Sequence, residues 1–297
     1  MKRPGTDMFW ITGGIILLAA LPALLNIRVA PLELIANLRP QVIVLALAFG
    51  CAAFTVGRHW AVGASVLVAA ALLVTTPEFF LRPPRPVQQP ALTVVWCNVF
   101  KTDAVVERLA NVARRRGADI VILGEPPREL AAARRSLAEY PFVYGAPDPD
   151  EHGAVVFSRT PLKAIVGPDL GRGTYPLTIV EADNIRIVAM HPPVAVTRSA
   201  LEGSAVMMGA AVRQAQHGRT LVVGDMNATP WASRLRAVST EMTRLSPALG
   251  STWFSSLPVL GLPIDHAFVT MDLRASAHVG PGVGSDHLPL IVSIARD

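Results

Sequence analysis

Leu92–Leu123 reads LTVVWCNVFKTDAVVERLANVARRRGADIVIL. Its first eight residues, Leu92–Val99, are short, apolar and rich in β-branched side chains, the composition of a strand. The period then changes. Behind Thr102, a cap residue by type, Asp103–Arg116 sets Val105, Val106, Leu109 and Val112 at helical spacing. Gly117 ends that helix, and Asp119–Leu123 (DIVIL) returns to a buried strand. Arg114, Arg115 and Arg116 form a basic run that reads as the solvated last turn of the helix, where the dipole favours cations.

The same alternation continues to the C-terminus. A second helix is expected over Arg128–Glu139 and a long one near Ser199–Gln216. Strands are expected at Ala154–Ser158, Leu177–Val180, Ile185–Met190, Thr220–Val223, Ile264–Val269 and Leu288–Ile294. This is a mixed α/β domain of ordinary single-domain size, with no internal repeat.

Upstream, Arg82–Pro90 reads RPPRPVQQP. Four prolines remove backbone donors and fix φ, so a helix cannot pass through and an extended spacer is expected. The sequence therefore divides into residues 1–80, a proline-rich linker at 81–90, and the α/β domain at 91–297. Residues 1–80 hold three uncharged runs, Met8–Leu25, Gln41–Gly57 and Trp60–Pro77. Each is near the length that crosses a hydrocarbon core, and Arg58 and His59 would form the tip of a helical hairpin. Trp10 and Trp60 stand at run ends, where indole favours an interface. Three transmembrane helices acting as a retained anchor are the expectation. With Lys2 and Arg3 keeping the N-terminus inside, an odd number of spans gives an inner-membrane protein with an extracytoplasmic domain, as does a cleaved first span. Arg28, Arg39, Arg82 and Arg85 would then lie outside, so the positive-inside rule does not decide.

Composition agrees with that division. Of 297 residues, 51% are hydrophobic and only 16% charged, which excludes disorder and an ordinary cytosolic enzyme. Residues 1–90 carry seven of the 27 basic and three of the 22 acidic side chains, so the remainder is almost neutral. A nearly neutral domain has no general field to steer polyanions, which disfavours a nucleic-acid binder. Cys51 and Cys97 are too few for a disulfide framework and too far apart for a cysteine zinc cluster.

The chemistry is carried by polar residues that interrupt apolar runs at strand ends. Asn98 closes the first strand, Glu125 follows DIVIL, and His191 follows RIVAM. Asp225 and Asn227 follow LVVG, Asp265 and His266 lie in PIDHAFV, and Asp286 and His287 precede LPLIV. Any one could be a cap or turn residue. Their repeated placement at strand termini points to convergence on one cleft, because polar groups beside buried strands are costly unless paired. His266 reads as a satisfied core histidine. His59, His217 and His278 read as surface residues, and His152 stands either at the cleft or on the surface.

WCNV around Asn98, DIVILGE ending at Glu125, HGAVVFSRTPL from His152, His191 after RIVAM, GDMNATP from Gly224, LPIDHAFV and GSDHLPL occur in one order along residues 92–294. In this combination the chain resembles the endonuclease/exonuclease/phosphatase superfamily, and within it bacterial membrane-anchored members. The resemblance implies two packed mixed β-sheets flanked by helices, a four-layer sandwich, here preceded by transmembrane helices. It implies a divalent-metal-dependent hydrolase of phosphate esters, diesters or monoesters, with a lipid head group among the substrates that an anchored site could reach. Glu125 would be the principal ligand of Mg2+ or Mn2+, with Asn98 and Asp286 near the same ion; oxygen donors suit these hard cations. His287 and Asp265 would form a pair, the carboxylate fixing the imidazole's tautomer. Asp225 would orient or activate the attacking water, and Asn227 and His191 would hold phosphate oxygens. The expected partners are a phosphate-ester substrate and, through the N-terminal helices, the lipid bilayer. A nuclease on the same scaffold and an inactive binding module are the alternatives. Val99 and Phe100 after Asn98 leave out the acidic second ligand of some DNA-repair members, and the tryptophan-cysteine-aspartate-arginine run of inositol-polyphosphate phosphatases is absent.

Overall fold

The computed structural model describes residues 4–25, 27–145 and 153–296. The chain divides into two compact units, one of residues 1–81 with the inserts 195–198 and 231–233, the other of residues 82–194, 199–230 and 234–297.

The larger unit contains two six-stranded sheets. The first is built from β1 (Pro90–Asn98), β2 (Ile120–Gly124), β3 (Phe142–Tyr144), β4 (Ala154–Ser158), β11 (Ala275–Val279) and β12 (Leu290–Ala295), in the order β11-β12-β1-β2-β4-β3. The second holds β5 (Lys163–Ile165), β6 (Thr178–Ala182), β7 (Ile185–Met190), β8 (Thr220–Asp225), β9 (Thr243–Arg244) and β10 (Asp265–Val269), in the order β5-β6-β7-β8-β10-β9. Each sheet has one parallel pair at its centre, β1 with β2 and β7 with β8, and the other pairs are antiparallel. A parallel pair needs a long crossover. Helix α5 (Asp103–Arg115) connects β1 to β2, and α7 (Arg198–Ala215) connects β7 to β8.

The period-two alternation of β1 decides the layers. Val94 and Trp96 face the second sheet, in a core with Ile120, Ile122, Ile187, Leu221 and Val269. Val95 and Cys97 face the other way and pack with Val105, Val106, Leu109 and Val112 of α5. Two packed mixed sheets with flanking helices are therefore observed. Helix α6 covers only Ala131–Ser136, shorter than the expected Arg128–Glu139, and Leu130 at its start offers no side-chain cap. A further helix, α8 (Ser233–Glu241), and strands β3, β5, β9 and β11 were not expected from the pattern; they are short, edge-placed or polar on one side.

The smaller unit is helical: α1 (Pro4–Leu24), α2 (Leu32–Ala36), α3 (Arg39–Thr55) and α4 (His59–Val74). Here the expectation of transmembrane helices, and of a bilayer partner through them, is corrected. No helix among the described residues is long and apolar enough to cross a membrane. The reason is length: α3 and α4 have 17 and 16 residues, which at about 1.5 Å per residue rise roughly 24–26 Å against a hydrocarbon core of about 30 Å. In α1 the described apolar stretch begins only at Met8 and meets Pro22 before the helix ends at Leu24. Arg39, placed beyond the first run, is buried: Nη1 donates to Thr75 O (2.9 Å) and Thr76 Oγ1 (2.8 Å), and Nη2 to Ala23 O (2.8 Å), tying three helix ends together. Within the same unit Trp231 Nε1 donates to Ala36 O at 3.0 Å, and its ring meets Phe79 edge-on.

Candidate active site

Strand register brings the polar residues to one end of the two sheets. Asn98, the last residue of β1, lies opposite Gly124, the last of β2, so Glu125 emerges beside it. Met190 pairs with Gly224, which sets His191 and Asp225 side by side at the ends of β7 and β8. Asp265 opens the antiparallel β10 directly opposite Asp225. Strand β12 runs antiparallel to β1, with Leu290 opposite Trp96, so Asp286 and His287 enter at that same end. Gly224 permits the arrangement, because a Cβ there would meet Met190 O at 1.9 Å.

Contacts join the side chains into a chain of partners. Asn98 Nδ2 donates to Glu125 Oε1 (2.9 Å) and Asp225 Oδ2 (3.3 Å), while Asn98 Oδ1 accepts from Phe100 N (3.1 Å). Asp225 Oδ1 accepts from Asn227 N at 2.9 Å. Asp225 Oδ2 lies between two imidazoles, 3.5 Å from His191 Nε2 and 3.6 Å from His287 Nε2. Asn227 Nδ2 reaches His191 Nε2 (3.1 Å) and donates to Pro192 O (3.0 Å). His287 Nδ1 donates to Asp265 Oδ2 at 2.8 Å. Seven of the eight expected residues are thus linked side chain to side chain. Asp286 is joined differently, through Ser285, whose Oγ donates to Asn98 O (2.7 Å) and to Asp286 Oδ1 (3.3 Å).

Backbone strain gathers at the same place. Phe100, Lys101, Glu125 and Asn227 have positive φ of 46°, 58°, 44° and 47° without being glycine. Such conformations cost about 1–3 kcal/mol each and persist where the surroundings over-determine them.

Burial and charge set the protonation states. Burial pushes the Asp225 carboxyl up, and the nearby charges of His287 and His191 only partly oppose this. Burial alone would raise Asp265 as well, but the His287 charge and the hydrogen bonds from His287, Trp96 and Thr252 hold it below the ordinary value. Burial would deprotonate His287, yet Asp265 and Asp225 outweigh it and the imidazole is pushed up to about 10. His287 is accordingly cationic at neutral pH, and Asp225 is the carboxylate whose basicity is increased.

The donor set fits a hard divalent cation. Glu125, Asn98 and Asp286 offer oxygens only, and Glu125 Oε2 takes no hydrogen bond among the described residues. Asp225, Asp265 and His287 also bring ligand atoms within 4.8 Å of one another. Asp265 and His287, however, commit theirs to each other, which leaves the Glu125 side the better cation position.

Several site residues escaped the sequence reading. Trp96 Nε1 donates to Asp265 Oδ1 at 2.8 Å, and Trp253 Nε1 to Asp286 Oδ2 at 3.2 Å. Thr252 Oγ1 accepts the backbone N–H groups of Ile264 and Asp265, and Arg234 Nη2 donates to Asn227 O at 2.5 Å. Trp96 alone left a signal, since it shares the inward face of β1 with Asn98 two residues on. His266 is a satisfied core residue, bonded to Ser246 Oγ (3.0 Å) and Ala228 O (2.9 Å), and burial lowers its pKa to about 4. His59, His217 and His278 are exposed. His152 lies outside the described residues.

Residues 95–287 match the model of the endonuclease/exonuclease/phosphatase family. No curated protein sequence matches the chain. Similar solved structures include a 3′ phosphatase, NExo, from Neisseria bound to a product DNA hairpin, 15% identical, TM-score 0.58, covering 69% of this chain and 100% of that one. An AP endonuclease from Archaeoglobus fulgidus is 13% identical, with TM-score 0.55, over 68% of this chain and 99% of its own. Beta toxin from Staphylococcus aureus is 14% identical, with TM-score 0.53, over 69% and 100%. At these identities the likeness is one of fold.

Proposed function

Because this chain belongs to the endonuclease/exonuclease/phosphatase family, we propose that it is a divalent-metal-dependent hydrolase of phosphate esters, its activity carried by residues 91–297. The observation that carries the reading is the Asp225–His287–Asp265 line, in which a buried carboxylate of raised basicity lies 3.6 Å from an imidazole held cationic by a second carboxylate. Phosphate-ester hydrolysis needs these groups: a base for the attacking water, and positive charge for the phosphoryl oxygens as the bond breaks.

Glu125, with Asn98 and Asp286, would hold Mg2+ or Mn2+. When bound, the cation supplies positive charge next to the ester and lowers the proton affinity of its water. Asp225 Oδ2 takes the proton of the attacking water. His287, its Nδ1–H held by Asp265, presents Nε2–H to a phosphoryl oxygen. Asn227 Nδ2 and His191 sit 3.1 Å apart and bind the remaining oxygens, and Asn98 Nδ2 orients Glu125. All these positions are filled by functional residue types, which argues against a binding module that has lost catalysis.

The test uses the full chain with a bis-aryl phosphodiester, an aryl phosphomonoester and plasmid DNA, with Mg2+ or Mn2+ and with chelator, beside Glu125→Ala. Chelator-sensitive hydrolysis lost in Glu125→Ala is expected. Full activity in that variant, or in His287→Ala, would overturn the assignment.

A further inference from the structure

Between Arg244 and Asp265 the chain runs for twenty residues, LSPALGSTWFSSLPVLGLPI, without one ionisable side chain. Leu245, Ser246, Ala248, Thr252 and Ile264 bury its two ends, and between Trp253 and Leu262 it forms an ordered loop whose tip faces solvent. Its base is closed by Leu262 N to Trp253 O (2.7 Å) and Trp253 N to Leu262 O (3.0 Å), and its tip by turns at Leu257 N to Phe254 O and Leu260 N to Leu257 O, both 3.0 Å. Yet Phe254, Leu257, Val259 and Leu260 are 44%, 45%, 90% and 59% exposed. The loop is fastened to the site itself: Ser255 N donates to Asp286 O (2.8 Å), Ser255 Oγ to Ser285 O (2.5 Å), and Trp253 Nε1 to Asp286 Oδ2 (3.2 Å). Phe100, 59% exposed, stands two residues after Asn98, on the other side of the Ser285–Asn98 hydrogen bond.

We propose that this apolar lip binds the hydrocarbon chain of the substrate, so that the ester hydrolysed is a phosphate carrying a long acyl chain. The inference rests on the phosphoesterase reading and deepens it. An ordered, solvent-facing cluster of four large apolar side chains marks an interaction site. Its continuity with Asp286 makes the substrate the occupant. A nucleic acid would find no cation on this loop to neutralise its phosphates, so it gains nothing there. An acyl chain laid on Phe254, Leu257, Val259 and Leu260 removes apolar surface from water on both partners, with its phosphate beside Asp286 and His287.

The experiment uses the full chain with Mg2+ and pairs of esters that differ only in the chain: lysophosphatidic acid against glycerol 3-phosphate, and lysophosphatidylcholine against glycerophosphocholine. All are kept below micelle-forming concentrations, with an aryl phosphate ester and a 3′-phosphorylated oligonucleotide alongside. The acylated member of at least one pair should have a kcat/KM about tenfold or more above its partner, the scale of burying one large apolar side chain. The triple variant Leu257→Ser, Val259→Ser, Leu260→Ser, all at exposed positions, should lose that preference while keeping its melting temperature and its activity on the aryl ester. Equal kcat/KM for acylated and unacylated esters, a higher value for the oligonucleotide, or an acyl preference that survives the triple substitution would overturn the lip. Hydrolysis of none of the esters, the aryl compound included, would overturn the phosphoesterase reading and the lip with it.

Discussion

Asp265→Asn changes one oxygen to an NH2 group and nothing else in size, which makes it a sharp probe of the site. In the native protein the carboxylate receives two N–H donors, one on each oxygen: Trp96 Nε1 on Oδ1 and His287 Nδ1 on Oδ2, both at 2.8 Å. An amide has a single acceptor oxygen, so in either orientation one of the two donors faces another N–H. Hydrogen bonds to a charged group contribute about 1.5–3 kcal/mol, and a stranded buried donor costs about 1–3 kcal/mol more, giving a destabilisation of roughly 3–5 kcal/mol. For turnover the loss has two sources. The ring of His287 is no longer held with Nε2 toward Asp225, and the largest charge holding that imidazole at about 10 is gone. Losing a positioned acid–base group lowers rates by about 10²–10⁴. Steady-state kinetics on an aryl phosphate ester with Mg2+ should therefore show kcat down by at least about a hundredfold with KM changed less than about threefold, beside a lower urea midpoint. A variant with native kcat and native midpoint would refute the reasoning from this pair.

Trp96→Phe removes the donor to Asp265 and, because phenyl is smaller than indole, also leaves a cavity in the core; kcat should fall about tenfold with KM unchanged, and stability by about 3 kcal/mol or more, whereas equal loss in kcat and gain in KM would point to general disruption. His266 is buried neutral with its pKa lowered to about 4 from 6.5, so its contribution is complete above about pH 6.5 and is lost as pH falls toward about 4, some 3 kcal/mol in all by linkage. Urea unfolding of His266→Gln at about pH 7.5 and pH 5 should show a shallower pH dependence than the native chain, and identical slopes would remove His266 from the account. Gly224→Ala places a methyl group 1.9 Å from Met190 O, between β7 and β8; a loss of about 3 kcal/mol or more is expected from thermal melts, together with reduced activity because His191 and Asp225 follow these two residues.

The central strands and helices α5 and α7 from Leu92 onward were written in the sequence, because each is either a short β-branched run or a helix with an apolar stripe, and local periodicity is what a linear text can carry, whereas α8 and the strands β3, β5, β9 and β11 carry no such pattern. Ala154–Ser158 and Ile185–Met190 coincide with β4 and β7, and α5 differs from expectation by one residue. The eight site residues stood out for the same reason, as polar types at the ends of apolar runs. What the linear text could not hold was anything that depends on where an element stops or on what crosses it. The three N-terminal runs were long enough as strings, but α3 and α4 end after 17 and 16 residues, short of a membrane's thickness, and no helix among the described residues is long and apolar enough to cross one. Only the register of β1 with β2 and of β7 with β8 and β10 set Asn98, Glu125, His191, Asp225 and Asp265 at one end of two sheets. Trp96, Thr252 and Trp253 joined the site through contacts 169, 13 and 33 residues distant in sequence. Residue type and spacing are local properties, so the sequence determined the chemistry available; pairing across sheets is not local, so the tertiary structure alone decided which carboxylate lies against which imidazole.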